Sequence, residues 1–280
     1  MSKGLLDPKV DFVFKNIFGS PNHPEILISF LNATLKAKKK IVNVHIKKTD
    51  IEKQYIEDKY SRLDVKATTS NDEIINIEIQ LKNENNMVKR SLYYLSKMYE
   101  EQLNEKEDYS KLVRTVCINI LNFKYLKTDN FHTGYRFKEI ESNEELTDIM
   151  EVHFIEIPKL QDSSDEKDML VAWTEFLKDP ESEKVRGLEL SIEEIRQAKD
   201  ELIRMSNDST QRELYDMRAN SLRDKMSELN AAERKGIEKG REEGRKEEKI
   251  KIARNMKLNG LDTNTIAKVT NLSEDEIDKL

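Results

Sequence analysis

Apolar residues at 75, 77, 79 and 81 constrain this chain more than any other feature of it. Side chains spaced by two lie on one side of a β-strand, so Asn76, Glu78, Gln80 and Lys82 share the other side. Upstream, Leu63 and Val65 repeat the alternation, with Arg62, Asp64 and Lys66 opposite them. The polar stretch Thr68, Thr69, Ser70, Asn71, Asp72 between the two runs favours a hairpin. Asp64 and Glu78 are therefore expected side by side on one sheet face. Paired carboxylates in that arrangement suit a divalent cation held over a phosphate.

Around this hairpin the pattern is mixed. Asp7 and Pro8 signal a helix start, and Val10, Phe14, Ile17 and Phe18 continue it as an apolar stripe. A second helix is predicted over 24–35, strands over 41–46, 112–121 and 152–157, and an amphipathic helix over 85–104. The expected fold class is α/β (α+β), one central mixed sheet flanked by helices, over residues 1–160. From 161 to 258 the β signal fades and charged helix dominates, with Trp173 and Phe176 as anchors onto the sheet domain. A small tail follows over 259–280.

Of the 280 residues, 36% are charged and 37% hydrophobic, which leaves one modest core and much solvated helix. A net charge of −6 argues against nonspecific coating of nucleic acid, though not against a local basic groove. Cys117 is the only cysteine and lies in an apolar run, so no disulfide framework exists. The four histidines, His23, His45, His132 and His153, show no metal-ligand spacing. No phosphate-binding loop, dinucleotide fingerprint or nucleophile elbow occurs. With no run of membrane-spanning length and no signal-peptide core, a soluble, cytoplasmic protein is expected.

Phosphodiester chemistry needs a cation that polarises phosphate and a group that steadies the attack. Asp64 and Glu78 offer hard oxygens for Mg²⁺, the backbone carbonyl of Ile79 is a natural third ligand, and Gln80 sits where a water-positioning group belongs. Taken as residues alone, the pair fits a solvated sheet face as well as a metal site.

The pairing of Arg62-Leu63-Asp64-Val65 with Glu78-Ile79-Gln80 resembles the PD-(D/E)XK nuclease core, with glutamine in place of the motif's lysine. The opening from Asp11 to Gly19, the Phe30-Leu31-Asn32 step, the Tyr93-Tyr94 helix and the strand through Cys117 are similar to the Rpn branch, recombination-promoting nucleases and putative transposases. The resemblance implies a Mg²⁺- or Mn²⁺-dependent DNA endonuclease of recombination or mobile-element biology. Asp64, Glu78 and Gln80 would be catalytic, and Asp64, Glu78 and Ile79 would hold the metal. Asp11 reads either as an auxiliary acid or as an acid favoured by the helix dipole. Lys82 or Lys15 would supply the charge that glutamine lacks, or is an exposed surface lysine. Because glutamine replaces lysine, a catalytically inactive DNA- or protein-binding relative is the alternative.

In the helical extension Gly236, Gly240 and Gly244 recur every fourth residue, either a charged linker or a helix that packs on a second copy as a homodimer. The tail has a helix-turn-helix layout with a capping-box pattern from Ser273. Its would-be recognition helix carries Glu274, Asp275, Glu276 and Asp278, which repel phosphate. A packing or oligomerisation module is the expectation there.

Overall fold

The computed structural model describes residues 4–36, 39–47, 65–165 and 167–280. Arg62, Leu63 and Asp64, on which part of the hairpin argument rests, lie outside the described residues. Two helices open the chain, α1 (Asp11–Phe18) and α2 (Pro24–Leu35), followed by strands β1 (Val44–Lys47), β2 (Val65–Thr69) and β3 (Ile74–Gln80). Helix α3 (Met87–Glu100) crosses to β4 (Thr115–Leu121), and β5 (His132–Lys138) and β6 (Glu145–Glu156) complete the strands. Then come α4 (Met169–Lys178), α5 (Glu183–Ser191), α6 (Glu193–Asn207), the long α7 (Ser209–Leu258), α8 (Thr263–Thr270) and α9 (Glu274–Asp278).

The six strands form one mixed sheet in the order β1-β2-β3-β4-β6-β5. The expected hairpin is present: β2 and β3 pair antiparallel with Val65 opposite Ile77 and Lys66 opposite Asn76. Its turn places Asp72 at a φ of 61°, a left-handed position that aspartate tolerates, and Thr69 Oγ1 closes it onto Glu73. β3, β4 and β6 run parallel, with Glu78 beside Asn119 and Asn119 beside Phe154.

Each face of the sheet is covered by helix. On one, Met87 and Leu95 of α3 pack with Cys117, Leu121, Val152 and Phe154. On the other, a Cβ added to Gly19, just past α1, would lie 3.4 Å from Val65 Cγ2, so α1 ends against the Val65–Ile77 side. The aromatic anchors gather there. Phe14 stacks on Phe18 at 4.6 Å, Phe18 meets Phe30 and Trp173 edge-on, and Trp173 meets Phe176. Trp173 is fully buried and donates to Ser29 Oγ at 3.2 Å. Each such buried side chain contributes about 1.5–3 kcal/mol.

The observed elements depart from the sequence expectations in three places. The first helix starts at Asp11 rather than at Asp7-Pro8, because Asp7 to Val10 closes a turn first. Strand β5 was not expected: its residues are mostly exposed, so no alternation of burial marks it, and it forms by pairing with β6 at the sheet edge. Helix α5 was also unforeseen; Ser182 caps it, yet only Val185 and Leu188 are buried.

The chain divides into two compact units, Met1–Ala219 and Asn220–Leu280. In the second, Ala253, Ile266, Leu272 and Ile277 form a small core. Asp262 caps α8, Asn271 ends it at a φ of 59°, and the Ser273–Glu276 capping box opens α9. Gly236, Gly240 and Gly244 lie within α7, and an added Cβ at any of them would meet nothing. Among the described residues no helix is long and apolar enough to cross a membrane.

Candidate active site on the sheet

Glu78 is the centre of the site, and the structure changes its setting. Alternation alone left it on a sheet face with no known cover; α3 lies across that face and leaves Glu78 only 1% exposed. Its Oε2 accepts from Arg90 Nε at 3.1 Å, while its Oε1 is buried with no hydrogen-bond partner. Burial pushes the carboxyl upward from the usual glutamate range, and Arg90 offsets part of that push. Arg90 also lies 4.8 Å from the ring centre of Tyr94, one turn further along α3.

Neighbouring side chains build a polar floor under α3. Ser91 Oγ donates to Asn119 Oδ1 at 2.8 Å, and Asn119 Nδ2 donates to the backbone oxygen of His153 at 3.1 Å. Cys117, fully buried in the same row, has its thiol pushed up to about 12 by burial and by the nearby Glu78 charge. A thiol so held is inert, which agrees with its sequence reading as a small core residue.

The remaining sequence candidates fall in several places. Gln80 ends β3 two residues beyond Glu78, half-buried, and Asn122 N donates to its backbone oxygen. Ile79 is buried between them. Lys82 follows just after the strand and is half-buried. Asp11 and Lys15 ride on α1, whose end meets the opposite face of the sheet, and Asp11 pairs with Arg218 at 3.2 Å. Lys66 shares the Glu78 face and reaches Glu101 at 3.8 Å; burial lowers its pKa. Asp64 lies outside the described residues. Among the described residues no three of His, Cys, Asp and Glu gather as metal ligands.

Two groupings escaped the sequence reading. Arg90 was one charge among many on an amphipathic helix; only the β3-α3-β4 crossover shows that it faces Glu78. His132 and His153 looked scattered, yet the β5–β6 pairing brings His132 Nε2 to 2.9 Å from His153 Nδ1. His153 Nε2 is in turn 2.6 Å from Glu151 Oε1. Arg114 joins Glu73 and Glu151, and Arg136 joins Glu151 and Glu145, so a charge ladder crosses the sheet on the face opposite Glu78.

A family model described as PD-(D/E)XK nuclease family transposase matches residues 8–232. The chain belongs to this family. A second model, the C-terminal HTH domain of the Rpn/YhgA-like nuclease family, matches residues 246–280 and so spans the small second core. No curated protein and no solved structure matches the chain. Within the PD-(D/E)XK framework, the D/E-X-K step falls on Glu78-Ile79-Gln80, with an amide where the motif has lysine. The cation nearest Glu78 is instead Arg90, contributed by the following helix. An orphaned carboxylate oxygen beside that pair fits a divalent ion, since Mg²⁺ takes one or two carboxylates and hard neutral oxygens.

Proposed function

We propose that this PD-(D/E)XK protein is a divalent-metal-dependent DNA endonuclease, acting in recombination or mobile-element biology. The observation that carries the reading is Glu78 itself: a buried carboxylate with one oxygen held by Arg90 and the other without a partner. Asp64 directly precedes Val65, whose ladder partner Ile77 directly precedes Glu78, and it is the second metal carboxylate of the proposal. The Ile79 carbonyl is the third oxygen. A bound Mg²⁺ or Mn²⁺ supplies Lewis-acid polarisation of the phosphate and a more acidic water. Gln80 orients the attacking water or a phosphate oxygen through its amide. Arg90 holds the Glu78 carboxylate in one rotamer and keeps it ionised against its burial.

The functional division proposed is 1–160 for cleavage, 161–258 as helical extension and 259–280 as DNA- or partner-binding tail. The location is cytoplasmic and the assembly a homodimer through the glycine-striped part of α7. Light scattering over a concentration series should give twice the chain mass; a monomer throughout removes the dimer.

The test is supercoiled plasmid incubated with purified protein in Mg²⁺, Mn²⁺ or EDTA, beside Glu78→Ala and Asp64→Ala. Nicking or linearisation that needs metal and drops at least a hundredfold in each variant is the expected result. The Glu78–Arg90 pair also suits a second reading, a silent nuclease-like binder in which the pair is purely structural. No cleavage in any metal by folded protein selects that reading.

A further inference from the structure

Glu78 Oε1 is not the only orphaned oxygen on its strand face: Asn76 Oδ1 is also buried without a hydrogen-bond partner. Asn76 and Glu78 are alternate residues of β3, so they share a face, and they are 0% and 1% exposed. Asn76 turns its amide nitrogen toward Cys117 Sγ, at 4.0 Å, which directs its carbonyl end away from the thiol. Asn119, on the next strand, is the contrast. Its nitrogen donates to His153 and its oxygen accepts from Ser91, so that amide is fully used. Lys66, the ladder partner of Asn76, sends its ammonium to Glu101 instead.

We propose that Asn76 Oδ1 is a neutral oxygen ligand, beside Glu78 Oε1, of a hard divalent cation. This rests on the metal-dependent reading of the site and extends its ligand set to a residue outside the D/E-X-K step. The chemistry of the donors agrees: amide carbonyl and carboxylate oxygens suit Mg²⁺ and Mn²⁺, which hold such ligands at about 2.0–2.2 Å. Alternate residues of a strand are about 6.6 Å apart along the chain, a gap that an Asn and a Glu side chain close around one ion. The division of Glu78 is part of the arrangement. Arg90 takes Oε2 and fixes the carboxylate, and Oε1 is left for the cation together with Asn76. A neutral ligand there adds an oxygen without adding to the negative charge buried under α3.

The experiment is a Mn²⁺ titration of the full chain, read by the electron paramagnetic resonance signal of the free ion, with thermal melting in EDTA and in Mn²⁺ alongside. The variants are Asn76→Leu, Asn76→Ser, Asn76→Asp and Glu78→Gln. Asn76→Leu and Asn76→Ser should weaken Mn²⁺ binding about tenfold or more, on the scale at which even outer-shell partners of a metal act. Their Mn²⁺-induced gain in melting temperature should shrink with it, and Asn76→Asp should bind at least as tightly as the parent chain. Asn76→Ser keeps the test decisive if the larger leucine does not fold. Wild-type affinity in both Asn76→Leu and Asn76→Ser, with binding lost in Glu78→Gln, overturns the role of Asn76 alone and leaves a buried water as its partner. No Mn²⁺ binding by the parent chain overturns the metal reading and this ligand together.

Discussion

Arg90 and Glu78 hold opposite charges in a setting where neither is stable alone. Glu78 is closed to water and Arg90 is 21% exposed at its side chain, so removing one leaves the other desolvated. Arg90→Ala should therefore destabilise the metal-free protein by about 3 kcal/mol. Arg90→Ala combined with Glu78→Gln should recover part of the loss, with a coupling of about 1–3 kcal/mol. Urea unfolding of the four proteins in EDTA at neutral pH checks this, and additive losses would show that the pair is not coupled. Only half of this constellation was legible beforehand. The alternation 75–81 put Glu78 and Gln80 on one face, since strand periodicity is local. The partner of Glu78 was not legible, because which helical residue meets a strand depends on the crossover and its tilt.

Strands β5 and β6 carry the acid sensitivity of the fold. Burial first, then His153 and Lys36, lower His132 to about 4, and it also faces Asp168 and Glu151. A histidine held below its ordinary value of 6.5 is neutral when folded and protonated when unfolded. Its contribution is thus whole above pH 6.5 and is lost as pH falls toward 4. Burial alone would raise Glu151, but hydrogen bonds from His153, Arg114 and Arg136 hold it down at about 2. Its contribution is present above about pH 4.5 and is lost below that, toward pH 2. Stability should accordingly fall in two stages, with about 3 kcal/mol lost through the first. His132→Asn should flatten the first stage without touching the second. Hydrogen exchange along His132–Lys138 followed from pH 7 to 4 measures it; unchanged protection in this range would refute the assignment. Gly134 is bound to this element, since a Cβ there would stand 3.0 Å from the His153 ring.

The chain as a whole consists of one unit with a large aromatic core and one with a core of four buried residues. Units so unequal should unfold separately. Ile266→Ala removes a fully buried branched side chain from the smaller core, at a cost of about 2–4 kcal/mol. That exceeds what a core of this size can lose, so the variant should lack the tail's helical transition while the main transition stays in place. Circular dichroism melting of the two proteins shows it; a shift of both transitions together would mean that they unfold as one.

Short-range features were readable from the chain because their causes are local. The hairpin turn at Asp72, the strand alternation around Glu78, the capping box at Ser273 and the apolar stripe from Val13 to Phe18 each depend on residues a few positions apart. What depended on the packed sheet was long-range: the cover of α3 over Glu78, the orphaned oxygens of Glu78 and Asn76, and the meeting of His132 with His153. No local pattern encodes these, because burial and the partners of a charge are set by the elements that the sheet order β1-β2-β3-β4-β6-β5 brings together.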